Sequence, residues 1–191
     1  MNRQGAHSSR LILMAALALV VAALGPQGPA HAASAREIDR DATDALKTLY
    51  QKTPDARVLA NKAVALLVFP RIVKAGFVIG GQYGDGALRQ RGRTTGYYRS
   101  VAASYGLQAG VQAFGYVLFF MDDASLKYLE KSDGWELGSG PSLVVVDTGF
   151  AKSMSTTTLQ SGVYAFIFDQ KGLMGGLGLQ GSKITKISPG R

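Results

Sequence analysis

YYRSVAASYGLQAGVQAFGYVLFFM, residues 97–121, alternates apolar and polar residues over most of its length. Odd positions carry Val101, Ala103, Tyr105, Leu107, Ala109, Val111 and Ala113, while even positions carry Ser100, Ala102, Ser104, Gly106, Gln108, Gly110 and Gln112. Successive side chains of a β-strand point to opposite faces. The pattern therefore predicts a half-buried antiparallel strand with one apolar face and one small or polar face. The run is longer than an ordinary strand, which predicts a bend or hairpin near Tyr105-Gly106. Gly115 to Met121 is apolar and aromatic throughout and reads as a central strand.

Downstream, Asp122 or Asp123 can cap a short helix through Lys131, closed by Asp133-Gly134. Trp135–Gly140, Ser142–Asp147, Val163–Asp169, Leu173–Gln180 and Lys183–Ile187 read as further strands. Upstream, Gly76–Tyr83 reads as a strand, Gly84-Asp85-Gly86 as a turn, and Leu88–Arg93 can return from it. Val64–Phe69 is apolar on both faces and reads as a buried strand that Pro70 ends. Ser34 with Glu37 is a capping-box pattern. Ile38, Ala42, Ala45, Leu46 and Leu49 follow it at helical spacing, opposite a charged face, and predict an amphipathic helix of about four turns. Pro54 stands at the first position of a second, short helix. The expected class is α+β, with N-terminal helices packed on a glycine-rich, curled or barrel-like antiparallel β-sheet.

The N-terminus reads as an export signal. Arg3 and Arg10 flank the start of an apolar run, Leu11 to Leu24, which Pro26 and Pro29 break before Ala30-His31-Ala32, an A-x-A cleavage pattern. The run is short of the ~20 residues a membrane span needs, although retention as an uncleaved anchor is the alternative. The expected organisation is a cleavable signal at 1–32 and a single domain at 33–191, exported to the periplasm or cell envelope. Cleavage takes away Arg3 and Arg10 and lowers the formal charge from +8 to +6.

The chain has no cysteine and two histidines, His7 and His31, both within the signal. The mature part would thus lack thiol nucleophiles, disulfides, His-ligated metals and Ser-His-Asp triads. The expectation is a non-enzymatic protein without cofactor, metal or catalytic residues. Gly176-Leu-Gly-Leu-Gln-Gly181 fits G-x-G-x-x-G, but a strand-like segment follows it where a dinucleotide loop needs a helix. Asp122-Asp123 and the pair Asp147 and Asp169 fit acid–base carboxylates less well than they fit a helix cap and strand ends.

The basic residues are more informative. Arg89, Arg91 and Arg93 alternate, and on one strand they would share a face over roughly 13 Å. Arg71, Lys74 and Arg99 are candidates to lie nearby. Such an array cradles phosphate, since guanidinium binds it bidentately, or else guards a sheet edge as solvated charge. Lys171, Lys183 and Lys186 form a second candidate cluster. A basic residue beside an anionic membrane contributes ~1 kcal/mol, so four alone give roughly millimolar binding. Tight binding needs apolar insertion as well, and the helix from Ser34 is one candidate. Its alanine-rich stripe and mixed-charge polar face favour packing on the sheet instead. No nucleic-acid module is recognisable.

Several strings resemble the SYLF domain family: FPRIVKAGFVIGGQYGDG (69–86), GYY (96–98), GLQAGVQ (106–112), FGYVLFFM (114–121) and VYAFIFDQKGLMGGLGLQG (163–181). The resemblance spans about Ser34 to Ile187. It implies a lipid-binding module, since eukaryotic members bind phosphoinositides or actin filaments and bacterial members are typically exported. It implies no catalytic residues. The expected partners are anionic phospholipid or phosphoinositide-like headgroups in peripheral contact with a membrane, with no nucleic acid and with actin out of reach of an exported chain. The expected headgroup contacts are Arg71, Lys74, Arg89, Arg91, Arg93, Lys171 and Lys183. The alternative is an envelope protein–protein interaction module without a specific lipid ligand, presenting Tyr97, Tyr98, Tyr116, Phe119 and Phe120.

Overall fold

The alternating stretch becomes two strands that do not pair with each other. The computed structural model describes residues 33–77, 79–105, 110–146, 161–172, 179 and 181–190. In it the helices α1 (Ala35–Lys52) and α2 (Pro54–Ala60) precede β1 (Ala65–Phe77), β2 (Ile79–Gln90), β3 (Arg93–Tyr105) and β4 (Gly110–Phe120). After these come α3 (Asp123–Lys131), β5 (Trp135–Glu136), β6 (Leu143–Val146), β7 (Val163–Gly172) and β8 (Lys183–Ile187). The strands form one sheet of order β5-β8-β3-β2-β1-β4-β7-β6. Every neighbouring pair is antiparallel except β6 with β7. This is the expected α+β architecture, with one parallel pair at the β6 edge.

The sheet is curled into a half-barrel. Strands β4 and β5 lie five steps apart, or ~24 Å in a flat sheet. Yet the rings of Phe120 on β4 and Trp135 on β5 have centroids 5.9 Å apart. The Tyr116 hydroxyl on β4 likewise donates to Ser100 Oγ on β3 at 2.9 Å, across three strand steps. The curl wraps an inner core of Leu67, Phe69, Tyr116, Leu118 and Phe120, joined by Leu126 and Leu129 of α3. The outer face buries Val68, Val117, Phe119 and Phe166 beneath α1 and α2.

Helix α1 forms where Ser34 caps it. The Glu37 amide donates to Ser34 Oγ at 3.3 Å and the Ser34 amide donates to Glu37 Oε2 at 2.8 Å, satisfying two free N–H groups. Ile38, Ala42, Ala45 and Leu49 are buried, so the apolar stripe of α1 packs on the sheet.

Pro70 does not end β1. It sits in a bulge, because the register against β4 shifts between Phe69 and Ile72. The extra residue lets Phe69 and Ile72, three apart, both enter the inner core, and a bulge tolerates the missing N–H of proline. Gly84-Asp85-Gly86 is not a turn either. It runs through the middle of β2, opposite that bulge, where a methyl on Gly86 would run into the Val68 carbonyl and come within 2.7 Å of the Phe69 ring. The chain reverses instead between the paired residues Phe77 and Ile79, inside the expected strand 76–83, and at Arg91-Gly92.

The face assignment of the alternating stretch is reversed. Val101, Ala103 and Val111 are exposed, whereas Ser100 and Gln112 are buried. The inner face at this end is hydrogen-bonded, with Ser100 taking the Tyr116 hydroxyl and Gln82 Nε2 donating to Ser182 Oγ at 2.6 Å. Strand β4 pairs with β1, so β3 and β4 form no hairpin, and the expected bend at Tyr105-Gly106 runs into residues outside those described. The strand expected at Trp135–Gly140 stops at Glu136, because Ser139 turns back to bond the Glu136 carbonyl at 3.0 Å. Of the strand expected at Leu173–Gln180, Leu179 alone is described, and it is buried.

Candidate functional site

Strands β2 and β3 are joined through Gln90-Arg91-Gly92-Arg93, with Gln90 paired to Arg93. Arg91 has φ 49° and Gly92 φ 78°, the two left-handed residues of a type I′ hairpin turn. The expectation that Arg89, Arg91 and Arg93 share one strand face therefore fails. Arg91 is at the tip, Arg93 opens β3, and both are exposed. The alternation that reads as one strand here spans two strands and their turn.

Arg89 is part-buried against α1. Its Nη2 donates to the Asp39 carbonyl at 2.7 Å and to Thr43 Oγ1 at 2.8 Å. The Asp39 carboxylate takes the Thr94 hydroxyl at 2.7 Å and the Tyr97 hydroxyl at 3.0 Å. Burial, then the bond to Asp39, raises the Tyr97 phenol above its ordinary value. Asp39 thus ties α1 to the hairpin, a role hidden in the sequence among the other charges of the helix. Arg89 Nε is buried and has no hydrogen-bond partner.

Beside this hairpin lies a cleft of about 720 Å³. Arg89 and Arg91 line it together with Leu46, Tyr50, Leu66 and Leu126, and Asp123 lies on its α3 side. Guanidinium groups and an apolar wall meet in one opening, which is the arrangement an amphiphilic anion requires.

The remaining expected residues are dispersed. Arg71 and Lys171 line a smaller hollow of about 220 Å³ with Asp169. Asp169 pairs with Lys52 at 3.2 Å and Lys171 at 3.4 Å, and these partners, the Lys52 hydrogen bond first, hold its carboxyl below the usual range. Lys74 pairs in register with Gln82 and Gln112, both buried in the inner face. Lys171 and Lys183 lie on opposite flanks, with β4, β1, β2 and β3 between them, so Lys171, Lys183 and Lys186 form no single cluster. Their nearness along the chain conceals the four strands between β7 and β8.

Of the carboxylate candidates, Asp122 Oδ1 accepts from the Ser125 amide at 2.7 Å as the cap of α3, and Asp169 is held by Lys52 and Lys171. Arg99, a candidate to lie near the basic array, donates instead to Asp85 at 2.7 and 3.0 Å. Asp147 lies outside the described residues, as do 176–178 and 180 of the glycine string, which β8 follows. Among the described residues no His, Cys, Asp or Glu group could hold a metal, and no helix is long and apolar enough to cross a membrane. Of the five aromatic residues expected on an interaction face, Tyr98, Tyr116, Phe119 and Phe120 are buried and Tyr97 is bound to Asp39.

Compared with protein families, residues 101–188 match the model described as Ysc84, Las17-binding protein actin regulator. No curated protein matches the chain. The matched span runs from β3 through β8 and contains the strings at 106–112, 114–121 and 163–181, while those at 69–86 and 96–98 precede it. From the middle of β3 to just past β8, the chain is thus similar to the Ysc84 (SYLF) domain.

Proposed function

We propose that the protein is a non-enzymatic binding protein that recognises anionic phospholipid headgroups, peripherally, at the cell envelope after export. The observation that carries this reading is the cleft in which Arg89 and Arg91 face Leu46, Tyr50 and Leu66. A phosphate oxygen accepts from Arg91 and from Arg89 Nε, which is buried without a partner. The less polar part of the lipid lies against the leucines and Tyr50. Arg93, exposed on the same hairpin, adds attraction at longer range. Arg71, Lys74, Lys171 and Lys183 are secondary contacts in this reading. The matching family's description names an actin regulator. For an exported chain the anionic bilayer is the polyanion within reach.

Sedimentation of the full-length protein with phosphatidylcholine vesicles, with and without phosphatidylglycerol, tests this. Anionic vesicles are expected to bind better, and added salt to weaken the difference. The double variant Arg91→Glu and Arg93→Glu is expected to lose at least about tenfold of the anionic preference, since each reversal replaces ~1 kcal/mol of attraction with repulsion. Arg89 is kept, because it holds α1. Undiminished preference in the double variant discards the hairpin as the headgroup site.

A further inference from the structure

The outer face of the sheet has a second region that α1 and α2 do not cover. One register row runs across six strands: Lys183, Val101, Tyr83, Val73, Ala113 and Lys171. Residues directly paired across strands share a face, so two lysines bracket four uncharged side chains. Beyond this row, toward the β1–β2 turn, the same face is more apolar. Ile79 is 65% exposed and Val111 62%, and within the row Tyr83 is 46% and Val101 44% exposed. No Asp or Glu occurs in 70–84 or 100–121. The carboxylates bordering this face are already engaged: Asp85 is 8% exposed and bound to Arg99, and Asp169 is shared by Lys52 and Lys171.

Monomeric proteins seldom leave such a continuous apolar face to water. Two occupants fit its shape. A second copy of the chain brings the same excess of lysine, because Asp169 beside this face is already shared by Lys52 and Lys171. An anionic bilayer brings an apolar interior for Ile79 and Val111 and phosphates for Lys171 and Lys183. We propose that this face, formed by β1 to β4 beyond the Asp85–Arg99 pair, docks on anionic lipid with Ile79 and Val111 in the acyl layer and Lys171 and Lys183 at the phosphates. The inference rests on the lipid reading above for its ligand class. It is an alternative seating on the bilayer, because the arginine hairpin lies at the opposite end of β2, about 36 Å away along a strand rising ~3.3 Å per residue.

The absence of native cysteine makes site-specific labelling direct. An environment-sensitive fluorophore is placed on full-length Val111→Cys and, separately, on Val58→Cys, an exposed position on α2 at the hairpin end. Each is mixed with phosphatidylcholine/phosphatidylglycerol vesicles carrying nitroxide lipids. A blue shift and quenching at Val111 but not at Val58 is the expected result. Lys171→Glu with Lys183→Glu is expected to lower the fraction with shifted Val111 label at least about tenfold. Bound protein whose Val111 label stays aqueous overturns this inference and leaves the lipid reading standing. Absence of binding to every vesicle overturns both. A Val111 shift unaltered by reversal of the two lysines overturns their assignment as the phosphate contacts.

Discussion

At the scale of single residues, buried polar groups with one partner decide the most. Tyr116 is fully buried and its hydroxyl has Ser100 as partner, so burial pushes its phenol far above the ordinary value of 10.0. The folded protein keeps this phenol protonated where the unfolded chain ionises it. The stability it contributes is therefore complete below about pH 10 and falls as pH rises beyond that, by about 1.4 kcal/mol per pH unit. Tyr116→Phe is expected to remove that alkaline slope and, at neutral pH, to cost about 1–2 kcal/mol by leaving Ser100 unpartnered. Denaturant titrations of both proteins between neutral and alkaline pH measure the two effects. A variant with the slope of the parent protein would contradict the assignment. Little of this was legible in the sequence. Tyr116 and Ser100 are visible as strand residues, but their meeting depends on the curl, and Asp39 was one charge among several on α1.

Among elements, local chemistry is legible in the sequence and strand pairing is less so. The Ser34–Glu37 box and the apolar stripe behind it are short-range signals, and α1 begins and packs where they indicate. The bulge at Pro70-Arg71 and the strand through Gly84-Asp85-Gly86 look like a strand end and a turn in the sequence, because proline fits both a bulge and a strand end and glycine marks close backbone approach as readily as a turn. Gly86 faces the Val68 carbonyl and the Phe69 ring across the bulge. Gly86→Ala is expected to cost about 2–3 kcal/mol through overpacking, a fall in Tm of roughly 5–10 °C for a domain of this size. Ser34→Ala, which removes a cap without disturbing packing, is expected to cost about 1 kcal/mol. Thermal melts of the two variants should rank in that order. The reverse order would mean that β2 relaxes away from the bulge more easily than α1 tolerates an open end. The lysines followed the same rule. Their spacing placed them on strands, but β7 and β8 join the sheet on opposite sides of β1 to β4, and no local signal carries that order.

For the whole sheet, the curl is the property that composition foreshadowed and that only long-range contacts establish. Trp135, the single tryptophan, closes it: β5 sits at one edge of the sheet, yet Trp135 packs on Phe120 and, at 6.4 Å between centroids, on Tyr128 of α3. Its Nε1 also donates to the Ser139 carbonyl at 2.8 Å. Tryptophan emission therefore reports closure, while far-UV circular dichroism reports the strands as a whole. One inner core reaches from Trp135 to Val163 and Ala165 on β7, so closure and strand pairing should be lost together. In urea the emission and dichroism transitions of the parent protein are expected to coincide. Phe120→Ala empties the site against which Trp135 rests and is expected to cost about 3–5 kcal/mol, with emission shifted to the red before unfolding begins. If the emission transition of the parent protein ran ahead of the dichroism transition, the β5–β8 flank would open independently. The half-barrel would then be two cooperative units joined along β3, and the Phe120 substitution would disturb only one of them.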